Sequence, residues 1–167
     1  FMFAIQAGAW DWFGGGKPTM NEWHHVAVTY DGKRTESWVD GKNAGGTDRN
    51  NQNITPTDQP FQIGRRVCCG TTPIKGIIDE VRISDVVRYT KDFALPTTEF
   101  VADKNTRLLW HLNEGSGTEV SDASGNKNTG KLEGGPKWVK GAPITSAVAV
   151  QPNGKLATMW AILKSNR

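Results

Sequence analysis

Long apolar runs are missing from this chain. No uninterrupted stretch approaches the ~20 residues that a helix needs to cross a bilayer, so membrane insertion is not expected. No segment keeps apolar residues at helical spacing beyond a short run, which argues against a helical bundle. An excess of one charge sign is also lacking. The formal net charge is +3, with Lys and Arg scattered along the chain, and a nucleic-acid partner is not expected on that basis. Cysteine is reduced to the adjacent pair Cys68 and Cys69. Neighbouring cysteines cannot clamp distant strands, and either two ordinary thiols or a vicinal disulfide fits them. His24 and His25 follow Trp23, with no Cys or third His at zinc spacing around them, so neither zinc nor catalysis is expected of this pair. There is no apolar leader and no initial Met. Phe1 opens directly into a strand pattern, and the chain reads as a piece of something longer.

What is present points to strands and turns. The chain has 167 residues, with 19 Gly, 8 Pro and long Thr/Asn/Asp stretches. That length suits one domain with a sizeable core. Val26, Val28 and Tyr30 alternate onto one face, Asp31-Gly32 gives a two-residue hairpin signal, and Thr35 to Val39 returns to a second turn at Asp40-Gly41. This predicts an antiparallel meander. Residues 43–60 read as an exposed loop and Phe61 to Gly64 as a short strand. Gly76 to Ile83 reads as a strand, residues 84–100 as a surface connection with a short helical turn near 85–90, and Leu108 to Glu114 as another strand. A further strand pair is expected through Leu132 and Trp138-Val139, and the pattern fades in residues 144–167. Short strands with turn signals every 8–12 residues suggest an all-β, antiparallel β-sandwich.

Three segments together carry a family likeness. They are Trp23 to Gly32 closed by Trp38-Val39-Asp40-Gly41; Gly76-Ile77-Ile78-Asp79-Glu80-Val81-Arg82-Ile83; and Trp110 to Gly117 followed by Asp122 to Gly130. They resemble the bacterial laminin G-like branch of the concanavalin A-like lectin/glucanase superfamily, whose jelly-roll-like sandwich they imply. The order is unusual. Residues 1–100 resemble the C-terminal half of such a sandwich, and residues 101–143 resemble its opening strands. Either two partial domains follow one another, or the later strands pack on the first segment. Half a sandwich leaves an apolar face open, which favours packing.

The resemblance also implies site residues. Alternation puts Asp79 in line with Ile77, Val81 and Ile83, a costly place for an unpaired carboxylate. Related sandwiches hold a structural calcium near this strand, so calcium is expected on Asp79 with Asn113, Glu114, Asp122 and the carbonyl of Gly125. Asp31 and Asp40 are explained by turn chemistry. Seven Trp are present, and Trp10 and Trp12 flank Asp11 beside a glycine run. Aromatic faces stack on sugar rings and a carboxylate takes hydroxyl hydrogen bonds, so these three are the candidate ligand-binding residues. The alternative is that the Trp residues fill the core. Glucanases of the superfamily use same-face carboxylates in a Glu-x-Asp-x-x-Glu strand. That motif is absent here, as is a Gly-x-Ser-x-Gly elbow, and no enzymatic activity is expected. The resulting expectation is a non-catalytic recognition or adhesion module of a secreted or cell-surface protein, binding carbohydrate or an extracellular protein. An accessory domain or non-functional remnant of a glycoside hydrolase, or a structural spacer, is the alternative.

Overall fold

A computed structural model describes residues 2–7, 9–49, 53–56, 58, 60–64 and 73–145, with the backbone alone for 2–7 and 9–14. Cys68, Cys69 and nearly all of the C-terminal stretch expected to be a tail lie outside the described residues. Among those described, every regular element is a β-strand: β1 (Met2–Ala7), β2 (Ala9–Gly14), β3 (Val26–Tyr30), β4 (Arg34–Val39), β5 (Lys42–Asp48), β6 (Val81–Ser84), β7 (Thr106–Trp110), β8 (Glu119–Val120) and β9 (Gly130–Lys131). The fold is an all-β antiparallel sandwich.

The meander β3-β4-β5 is its best-developed sheet. Both turns follow from their residues. Asp31 accepts the backbone N–H groups of Lys33 (2.8 Å) and Arg34 (2.7 Å), and Gly32 adopts φ 92°. Asp40 and Gly41 both take the left-handed backbone, at φ 50° and 75°, the geometry of a tight two-residue hairpin. The expected loop over residues 43–60 is partly a strand. β5 extends the sheet despite its Asn-Ala-Gly-Gly composition, because β4 offers it an unpaired edge. A bulge marks the misfit: Ala44 and Gly45 together oppose Ser37, with Gly45 at φ 115°.

The central strand β4 is covered on both faces. A Cβ on Gly15 would collide with Ser37, and one on Gly16 would lie 2.6 Å from Val39 Cγ2. The glycine run leaving β2 therefore lies directly against β4, where no side chain fits. On the other face Trp38, 1% exposed, packs on Tyr89 and Phe93 with ring centroids 6.3 and 6.0 Å away. Tyr89 and Phe93 stack on each other at 3.8 Å. Residues 84–100 thus supply the lid of this layer rather than a bare surface connection, and no helical turn forms in them.

β6 pairs with β7 antiparallel, Val81 opposite Trp110 and Ile83 opposite Leu108. The strand expected over Gly76 to Ile83 starts only at Val81, because Glu80 takes a left-handed φ of 51°. Leu108 and Leu109 are buried, as is Val120 at the end of β8. No strand forms at Phe61 to Gly64 or at Trp138-Val139; the late pair is instead β8-β9. Trp110 lies flat over Gly130, where a Cβ would stand 2.8 Å from its ring.

Candidate functional site

Three of the residues expected to hold calcium, Asp79, Glu114 and Asp122, accept backbone N–H groups. Asp79 Oδ2 accepts the Ala142 N–H at 2.7 Å, and Oδ1 accepts that of Glu80 at 3.2 Å. Asp122 organises the loop after β7. Its Oδ1 takes the N–H groups of Leu109 and Ser124, and its Oδ2 takes that of Asn128. Burial pushes the Asp122 carboxyl up, but these bonds from Leu109, Ser124 and Asn128 outweigh it and bring it down to about 2. Glu114 Oε1 accepts the Ser121 N–H at 2.8 Å, while its Oε2 is buried without a hydrogen-bond partner. Gly125 forms a left-handed corner at φ 83°. Asn113 turns away to Glu99, donating from Nδ2 to Oε1 at 2.7 Å. Asp79, Glu114 and Asp122 form no common metal-ligating group among the described residues.

A different constellation converges beside it. The left-handed turn at Glu80 breaks the strand alternation, and the Glu80 side chain is only 9% exposed. Its Oε1 lies 2.7 Å from His111 Nδ1, and its Oε2 accepts the Phe100 N–H at 3.0 Å. One ligand-type atom from each of Glu80, Glu99 and His111 lies within 4.8 Å of the others. Sequence reading missed this group because its members are 19 and 12 positions apart (99 − 80; 111 − 99). The only local signal was a second carboxylate next to Asp79.

The two histidines behave oppositely. His24 donates from Nδ1 to Asp40 at 2.7 Å. That bond holds its pKa above the usual histidine value. Burial pushes the Asp40 carboxyl up, but hydrogen bonds from His24 and from the His25 backbone N–H outweigh it, so it falls below the usual range. His25 sits edge-on to Tyr89, Phe93 and Phe100. Burial, then the Arg82 guanidinium, push its pKa down. Its Nδ1 is buried without a partner, which agrees with a structural role. Arg82 itself lies 3.9 Å over the Phe100 ring.

The candidate ligand-binding residues lie on β2. In the β1-β2 register Trp10 stands opposite Gln6, Asp11 opposite Ile5 and Trp12 opposite Ala4. Trp10 and Trp12 thus occupy alternate positions on one strand face, roughly 6.7 Å apart along it; their side chains lie outside the described residues. Of the other Trp residues, Trp38 is core and Trp23 is exposed. Trp110 and Trp138 each donate from the indole to a loop carbonyl, of Asn128 and Gly117 respectively. Among the described residues no helix is long and apolar enough to cross a membrane.

A laminin G family model, described as the Concanavalin A-like lectin/glucanases superfamily, matches residues 1–93. No curated protein and no solved structure matches the chain. Domains of this superfamily bind carbohydrates or proteins. The matched segment contains the hairpin with Trp10 and Trp12, the whole meander, and the start of the β6-β7 ladder, and on that match the chain belongs to the laminin G-like family of the concanavalin A-like superfamily.

Proposed function

We propose that the chain is a non-catalytic recognition module of a secreted or cell-surface protein, and that it binds carbohydrate through Trp10, Asp11 and Trp12. The observation that carries this reading is the placement of two tryptophans at alternate positions of a strand whose exit, Gly15-Gly16, is seated on the central strand β4. A hairpin held at its base presents its face with little ordering cost on binding. Two indoles spaced by one strand repeat suit consecutive sugar rings, and a carboxylate between them suits a hydroxyl. The non-catalytic part of the reading is supported by the work the described aspartates already do. Asp103 is held by Arg88 and Asp85 by Arg107. Asp92 is held by Lys42, and Asp122 by backbone amides. A purely structural spacer would bury all its tryptophans, and Trp23 is exposed.

A glycan array followed by calorimetry on the best oligosaccharide tests the reading. Trp10→Ala and Trp12→Ala are each expected to weaken binding about tenfold, the scale of one lost aromatic stacking contact, with Tm within a few degrees of the parent. Binding unaffected by both substitutions would remove the hairpin as the site. Release of reducing sugar from the same oligosaccharide would overturn the non-catalytic part of the reading.

A further inference from the structure

We propose that Glu80, Glu99 and His111 form a binding site for a divalent transition-metal ion, with zinc the member of that class best suited to it. The three residues come from separate parts of the chain: the turn before β6, the position directly after the bridge of Thr98 to Thr145, and the exit of β7. Each contributes one donor atom, and the three donors lie within 4.8 Å of one another. Ligand atoms around a small ion bonded at 2.0–2.2 Å stand roughly 3.5–4 Å apart, so modest side-chain rotation closes the set.

Each donor is held by a second group. Glu80 is fixed by the Phe100 N–H at 3.0 Å. Glu99 accepts from Asn113 Nδ2 at 2.7 Å, and its own N–H is bound to the Thr145 carbonyl at 2.9 Å. His111 follows directly on Trp110, which is locked opposite Val81 in the β6-β7 ladder. Metal sites use such outer hydrogen bonds to aim their ligands. The donor chemistry selects the ion. Calcium takes six to eight oxygens, whereas an imidazole with two carboxylates suits zinc and its transition-metal neighbours. On binding, His111 Nδ1 turns from Glu80 Oε1 to the ion. Three protein donors leave at least one position for water. The site shares no residue with the Trp10 hairpin and does not depend on the recognition reading.

The test uses the full chain with Cys68→Ser and Cys69→Ser, so that no thiol competes, stripped with chelator. Zinc chloride is followed by calorimetry and cobalt chloride by visible absorption. The expected result is one ion per chain, a raised Tm with zinc and none with equal calcium chloride. His111→Asn and Glu80→Gln are each expected to lower zinc affinity at least tenfold, while His24→Asn leaves it unchanged. If Glu80→Gln fails to fold, Glu99→Gln takes its place. Unchanged zinc affinity in the His111 and glutamate variants, or loss of binding in His24→Asn instead, would overturn the site.

Discussion

At the scale of single residues, His24 and His25 show how one strand start can hold two opposite proton demands. His24 gains Asp40 as a partner and its pKa rises. That contribution is fully present below the unfolded value near 6.5 and is lost as pH climbs through the higher folded value. His25 is kept neutral by burial and by Arg82. Its effect runs the other way: as pH falls below about 6.5 the unfolded chain takes up the proton and the folded state loses ground. Proton–carbon NMR titration is expected to show the His24 imidazole changing above pH 6.5 and the His25 imidazole below it. Coincident midpoints would contradict the geometry. Residue scale is also where strand alternation stops being a guide. Alternation chose Asp79 as the misplaced carboxylate, but Glu80 is left-handed, and a non-glycine residue in that region cannot be foreseen from period alone. The buried carboxylate and its partners, His111 and Glu99, were therefore invisible until the chain was folded.

Elements were legible in proportion to how local their causes are. The β3-β4 ladder and the Asp40-Gly41 turn after it form where alternation and the Asp-Gly pair put them, whereas the first turn is centred one residue late, on Gly32-Lys33 between Asp31 and Arg34. β5 was hidden because its residues are poor strand formers and its pairing comes from an edge elsewhere. Gly46 shows the reason glycine is tolerated there, since a Cβ would run into the Thr35 carbonyl. The glycine run after β2 read as a chain break, whereas the structure uses it as a close contact. Gly15→Ala forces a methyl into Ser37 and is expected to cost about 1–3 kcal/mol, the range for overpacking. Gly15→Ala with Ser37→Gly is expected to cost less than the sum of the two single changes, measured by urea unfolding. Strictly additive losses would show that the hairpin exit and β4 do not touch.

For the whole molecule, the family-matched stretch ends at residue 93, yet Leu108, Leu109 and Val120, all buried, lie beyond it. The ladder joining β6 to β7 spans that boundary. Asp79 crosses it to Ala142, and Glu80 crosses it to His111. A chain ending at residue 93 is therefore expected to lack a cooperative thermal transition by circular dichroism, and a peptide of residues 101–145 is expected to restore one. A sharp melt of the short chain alone would make the later strands an addition rather than a part of its core. The sequence order, closing half before opening half, raised this question. Only the strand pairing supplies contacts that bear on it.

The same ladder matters while the protein is being made. Between Ser84 and Thr106 lie 21 residues (85 to 105). At about 5–20 residues per second, β6 emerges from the ribosome roughly one to four seconds before its partner does. During that interval its hydrogen-bonding edge is bare and the meander behind it is already competent to fold. Nascent-chain chaperones and neighbouring copies on the same message meet the protein in that form, with the short run from Val81 to Ser84 as its most adhesive part.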